Sequence, residues 1–176
     1  VYTAAEISVS MLNLNSERPI VLDIPATMWI NGDAPKVRQV LTNLLENATK
    51  YSYPETPIRL SAASLQLSAV EPFLTPDQVD HALILDKGDI PVVVVRVRDQ
   101  SEGILPEDQQ KIFEKFVRAT RSLTTTVRGT GLGLYICRRY VEAMGGKLWL
   151  ERSAANEGST FSFYLPQVTS PVDTPE

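Results

Sequence analysis

Arg128-Gly129-Thr130-Gly131-Leu132-Gly133-Leu134 leads into Tyr135, Ile136, Arg139, Tyr140 and Ala143, which with Leu132 fall at the spacing of one helical face. The run predicts a helix that begins inside a glycine-rich turn. Glycine lets the backbone approach a ligand closely and take positive φ. A helix start also offers unpaired N–H groups and a positive dipole end, which suit phosphate oxygens. Alone, GxGxG fits a tight turn or close helix packing equally well. Its meaning depends on the segments upstream.

The clearest of these is a helix over about 35–51. Asp33 is its N-cap, with Ala34-Pro35 in the first turn. Val37, Val40, Leu41, Leu44, Leu45 and Ala48 make one apolar face. A weaker helix is predicted over 2–15. Ile20–Ile24 and Thr27–Ile30 read as short strands joined at Pro25, and Ile58–Leu67 and Val92–Val97 as longer ones, the latter a buried apolar run. Lys147–Arg152 and Ser159–Leu165 are two more strands, joined by a turn at Asn156-Glu157-Gly158. Trp29 and Trp149 are expected to pack from their strands. The pattern predicts an α+β fold: a two-layer α/β sandwich with a mixed, mainly antiparallel sheet and helices on one face.

Bulk properties narrow the classes. A chain of 176 residues suits one domain with a real core. The net charge of −4 argues against a nucleic-acid surface. One cysteine and one histidine exclude an internal disulfide and a Cys/His zinc site within these residues. No apolar stretch approaches the roughly 20 residues of a membrane span. Val1 is not a natural start, so the chain is expected to be a fragment. His81 lies in a polar context and reads as a surface residue, and Cys137 as a small buried one.

Three further constellations carry chemistry. Gln39, Asn43, Asn47 and Lys50 form a polar stripe beside the apolar face of the 35–51 helix. Its carboxamides can offer oxygens to Mg²⁺ and its lysine a charge to phosphate, although a solvated helix face explains the stripe equally well. Asp99-Gln100-Ser101-Glu102-Gly103-Ile104 follows a strand directly. Its carboxylate can accept from a ligand's amino group, or the segment can be an ordinary turn. Phe113-Glu114-Lys115-Phe116-Val117-Arg118 is a short basic segment with two aromatics three apart. It reads as core packing or as part of a phosphate-covering lid.

In this order, the segments resemble the ATP-binding catalytic domain of bacterial sensor histidine kinases. Lys36 to Ser52 is similar to that family's N box, Asp99 to Ile104 to its first glycine box, Phe113 to Arg118 to its F box, and Gly129 to Leu134 to its second. The resemblance spans 1–166. It implies the Bergerat ATP-binding fold shared with gyrase, MutL and heat-shock chaperone ATPases, with an ATP lid over 105–129. The stretch over 68–90, with Pro72, Pro76, Gly88 and several acids, departs from the family as an insert longer than it usually carries, and the tail over 167–176, with Pro171 and Pro175, is expected to be disordered.

The resemblance also implies an enzyme that binds Mg²⁺-ATP and transfers its γ-phosphoryl group to a histidine in two-component signalling. Asn47, helped by Asn43, would hold Mg²⁺, and Lys50 would contact phosphate. Tyr51 would lie against the adenine, and Asp99 would accept its amino group. Ser101, Gly103, Ile104, Phe116, Gly129, Thr130, Gly131, Leu132 and Gly133 complete the implied nucleotide site, and Arg118 would reach the γ-phosphate. The implied partners are a histidine-containing dimerisation domain of the same full-length, homodimeric protein and a downstream response regulator. The fragment itself is expected to be monomeric and cytoplasmic, without membrane contact, while the full-length protein could be membrane-anchored. Two alternatives remain: an ATP-hydrolysing clamp of the gyrase or MutL type, and a non-catalytic nucleotide-binding module. The clamp relatives carry a glutamate one turn before the metal-binding asparagine, where this chain has Asn43. The usual first glycine box is Asp-x-Gly-x-Gly. Ser101 at its first glycine predicts a weakened site that Ser101→Gly would tighten.

Overall fold

A computed structural model describes residues 19–25, 28–74, 89–119 and 129–168. The predicted 2–15 helix and His81 lie outside these residues. Asp33 starts the first long helix, α1 (Ala34–Tyr51), its Oδ1 accepting from the Lys36 backbone N–H at 3.0 Å. The predicted apolar face is the buried one: Val37, Val40, Leu41, Leu44, Leu45 and Ala48 all point inward. The second long helix, α3 (Gly133–Ala143), begins inside the glycine run. Between them in the chain lies a short α-helix one turn long, α2 (Leu67–Val70).

Among the described residues six strands form the sheet: β1 (Ile20–Asp23), β2 (Trp29–Ile30), β3 (Ile58–Gln66), β4 (Pro91–Arg98), β5 (Lys147–Ala154) and β6 (Gly158–Val168). The order is β1-β3-β4-β6-β2, with β5 also paired to β6. Every pairing is antiparallel except β1 with β3. That parallel pair needs a crossover, and α1 supplies it.

The expected mixed sheet is therefore present, with both long helices packed on one face. Their side chains join Ile58, Leu60, Val93, Val95, Val97, Leu148, Phe163 and Leu165 in the main core. The opposite face is not bare. Leu67, Val70, Val92, Val94, Trp149 and Tyr164 form a second, smaller core. Alternation along β4 divides its valines between the two cores. The first part of the predicted 68–90 insert thus packs into the fold, while 75–88 lies outside the described residues.

The two strands joined at Pro25 take different partners: β1 joins β3, and β2 joins the far end of β6. Two sequence expectations need correction. The boundary at 166 falls too early, because Gln167 and Val168 pair with Ile30 and Trp29 and satisfy backbone groups of that short strand. Trp29 is 40% exposed on this edge, whereas Trp149 is buried.

No helix among the described residues is long and apolar enough to cross a membrane.

Candidate functional site

Burial of its apolar face fixes the rotation of α1 and carries the adjacent polar stripe to a cavity of about 420 Å³. Asn43, Glu46, Asn47, Lys50 and Tyr51 line one side. The end of β4 delivers Asp99, and the loop after it adds Ser101, Glu102, Gly103 and Ile104. Gly129, Thr130, Gly131 and Gly133 close the opposite side, with Arg118 beside them. Three segments far apart in sequence therefore meet around one space.

Two expected residues stand apart. Phe116 is 72% exposed and is not on the cavity wall. The predicted helical pairing of Phe113 with Phe116 fails because the 3-10 turn ends at Phe113, and Phe116 takes a φ of 65°. Phe113 instead is buried, edge-on to Phe161. The backbone of Phe116 still serves the site: its N–H donates to the Gly131 carbonyl at 3.0 Å. Leu132 precedes α3 as its N-cap residue and also lies off the wall.

The 105–119 part of the expected lid is not uniformly loose. Ile112 and Phe113 are anchored in the main core, and Gln109 Nε2 donates to the Ile104 carbonyl at 3.0 Å. Residues 120–128 lie outside the described residues.

The glycine run has distinct local requirements. Gly131 takes a φ of +70°, and a Cβ there would stand 2.7 Å from the Phe116 carbonyl carbon. Only glycine allows this close passage without strain. At Gly133, by contrast, a Cβ would meet nothing within 4 Å. No protein contact demands glycine there, and the first turn of α3 opens toward the cavity. Lys50 Nζ lies 3.6 Å from where a Cβ on Gly129 would be, so the ammonium and the glycine backbone border the same space.

Asp99 is a buried polar group on the cavity wall. It is 5% exposed, its Oδ1 accepts from the Ser159 N–H at 3.1 Å, and its own N–H donates to the Ser159 carbonyl at 2.9 Å. Burial pushes its carboxyl above the usual carboxylate range, opposed by hydrogen bonds from Ser101 and then Ser159. Such a carboxylate, dry and fixed, is an acceptor waiting for a donor. Cys137 is fully buried under α1, and burial pushes its thiol up to about 12, so it is not a nucleophile at neutral pH.

The sequence reading missed several wall residues: Glu46, Tyr53, Ser159 and Phe161 among them. Glu46 follows from the same helix face as Asn43 and Asn47. Ser159 could have been found only from strand register, which sets it beside Asp99. Tyr53 donates its hydroxyl to Asn156 Oδ1 at 3.0 Å, a contact across more than a hundred residues that no local pattern encodes.

Comparison with known proteins shows the family and the fold. A family model described as histidine kinase-, DNA gyrase B- and HSP90-like ATPase matches residues 32–169. The chain is 34% identical to Histidine kinase 5 of Arabidopsis thaliana over 155 residues, covering 88% of this chain and 16% of that protein. It is 33% identical to the adaptive-response sensory kinase SasA of Thermosynechococcus vestitus over 163 residues, covering 90% of this chain and 36% of that protein. The chain thus spans well under half the length of these curated relatives. Among solved structures, the mycobacterial sensor histidine kinase MprB superposes with a TM-score of 0.71 at 22% identity, covering 94% of this chain and 95% of that one. The catalytic domain of histidine kinase ThkA gives 0.69 at 23% identity, covering 95% and 92%. At these identities the two structures speak for the fold.

Proposed function

The chain belongs to the histidine kinase-, DNA gyrase B- and HSP90-like ATPase family, and from that membership we propose that its cavity binds Mg²⁺-ATP and presents the γ-phosphoryl group to a histidine on a separate dimerisation domain. One observation carries the reading. A buried base acceptor, Asp99, and a phosphate end built from Lys50, the 129–131 backbone and the start of α3 face the same 420 Å³ space.

Asp99 accepts the adenine amino group, with Tyr51 beside the base. Lys50 and Arg118 bring positive charge to the phosphates, and the N–H groups at the start of α3 add donors. The donor set suits Mg²⁺, a hard cation that takes oxygen ligands and keeps several waters. Asn47 is its primary protein ligand. Asn43 assists, since its Oδ1 already accepts from Gln39 Nε2 at 3.3 Å. When bound, the ion would neutralise charge between phosphate oxygens. The protein's own part is positioning and electrostatic stabilisation, which suits phosphoryl transfer.

The resemblance to sensory kinases supports a histidine acceptor, a response regulator downstream and a homodimeric, cytoplasmic kinase core in the full-length protein. The clamp-type hydrolase reading is weaker because Asn43 stands where those relatives carry glutamate, and an amide is a poor general base. Calorimetric titration with Mg²⁺-ATP tests the site. Asn47→Ala should remove the Mg²⁺ dependence of binding. Unchanged Mg²⁺-ATP affinity in that variant would refute the metal assignment.

A further inference from the structure

The loop that carries Asp99 is gripped from two sides. On one side the chain just past α1 runs against it: Ser52 and Ser101 form an antiparallel bridge, and the Tyr53 N–H donates to the Gln100 carbonyl at 2.8 Å. On the other side lies the turn between β5 and β6, where the Asn156 N–H donates to the Glu102 carbonyl at 3.0 Å. Loop and turn meet backbone on backbone. A Cβ on Gly103 would stand 2.2 Å from the Ala154 carbonyl oxygen, and one on Gly158 would stand 2.1 Å from that of Asp99.

The two grips are joined to each other, because the Tyr53 hydroxyl donates to Asn156 Oδ1 at 3.0 Å. Hydrogen bonds and chain thus close a ring. It runs from the Tyr53 N–H to the Gln100 carbonyl, along the loop to the Glu102 carbonyl, across to Asn156 and back to the Tyr53 hydroxyl. Both ends of the tie are themselves held. The Tyr53 carbonyl accepts from Thr56 Oγ1 at 2.8 Å, and Asn156 takes a φ of 61°, a left-handed conformation that asparagine tolerates better than most residues. Tyr53 lines the cavity together with Asp99, whereas Asn156 is not on its wall.

We propose that Tyr53 and Asn156 are a pair of positioning residues: their side-chain bond clasps the 99–103 loop and holds Asp99 in place for the base. This rests on the reading of Asp99 as the base acceptor. A loop fixed before the ligand arrives loses less freedom when the ligand binds, so the clasp favours binding without touching the amino group it helps to recognise. The phosphate end, at Lys50, the 129–131 backbone and the start of α3, is built from other segments. Opening the clasp should therefore lower ATP affinity and leave GTP affinity nearly unchanged, since guanine has no C6 amino donor for Asp99. The bond is exposed, so the expected factor is modest.

The test uses the whole chain and its Tyr53→Phe, Asn156→Gly, Asn156→Asp and Asp99→Asn variants, with the Tyr53→Phe, Asn156→Gly double variant. Each is titrated with ATP and with GTP and melted without nucleotide. Tyr53→Phe and Asn156→Gly should each bind ATP about three- to tenfold more weakly, with the preference over GTP reduced by the same factor. The double variant should be no weaker than either single one, because the two side chains make one contact. Asn156→Asp keeps both the acceptor and the tolerance of positive φ, and should bind like the parent. Tyr53→Phe that keeps the parent's preference for ATP would overturn the proposal. So would losses that add in the double variant, or a lowered melting temperature with ATP and GTP weakened equally, which would mark the tie as structural alone. If Asp99→Asn itself keeps the ATP preference, the base-acceptor reading falls and this inference falls with it. If Asp99→Asn loses that preference and Tyr53→Phe does not, this inference falls alone.

Discussion

Asp99 sets two opposing pH dependences at one residue. Its carboxyl is raised by burial, so between the ordinary carboxylate value and the raised one the folded chain holds a proton that the unfolded chain has lost. The contribution of Asp99 to stability therefore falls as pH rises through that window. Nucleotide recognition needs the ionised form, so ATP affinity should rise across the same window. Asp99→Asn should flatten both trends relative to the parent, leave the nucleotide-free protein at least as heat-stable at neutral pH, and cost about tenfold or more in ATP affinity. Melting curves with and without ATP, compared between the two proteins across pH, check each sign. GTP lacks adenine's C6 amino donor and presents a carbonyl at that position. It should bind the parent by about 1–3 kcal/mol more weakly, the cost of leaving a buried acceptor unpaired.

The elements differ in how far local sequence determines them. α1 was legible almost to the residue, because a capping Asp33, Pro35 and an unbroken apolar face are all local signals. Asp33→Ala should lower the melting temperature by about 2–4 °C with no direct effect on the distant site. The pairing of β1 and β2 was not legible, since strand partners are chosen by non-local register. Nor was the position of Phe116: a left-handed φ at a phenylalanine has no signal in residue type. The glycine run allows a sharper test, because its members do different work. Gly131→Ala should strain the passage beside Phe116 and lower both nucleotide-free stability and ATP affinity. Gly133→Ala meets nothing in the protein and should leave the nucleotide-free melting temperature nearly unchanged, with any loss confined to nucleotide binding. Equal destabilisation by the two substitutions, measured without nucleotide, would contradict this division.

At the scale of the molecule, the sheet separates a large core under α1 and α3 from a smaller one under α2, and the cavity opens at the margin of the large core. The two-layer plan was legible because long amphipathic helices and apolar strands announce themselves. The second core was not, because Val70 lies in a stretch whose prolines and acids read as an insert, and Leu67 read as the end of a strand. The site residues on α1, at Asp99 and in the glycine run were found as ordered motifs, while wall residues such as Tyr53 and Ser159 depended on the fold bringing distant segments together. What the assembled site does is tested most directly by incubating the chain with γ-labelled ATP, Mg²⁺ and a separately purified histidine-bearing dimerisation domain. The account predicts acid-labile label on the histidine of that domain, abolished by Asn47→Ala. Release of free phosphate with no label on the histidine domain would contradict it.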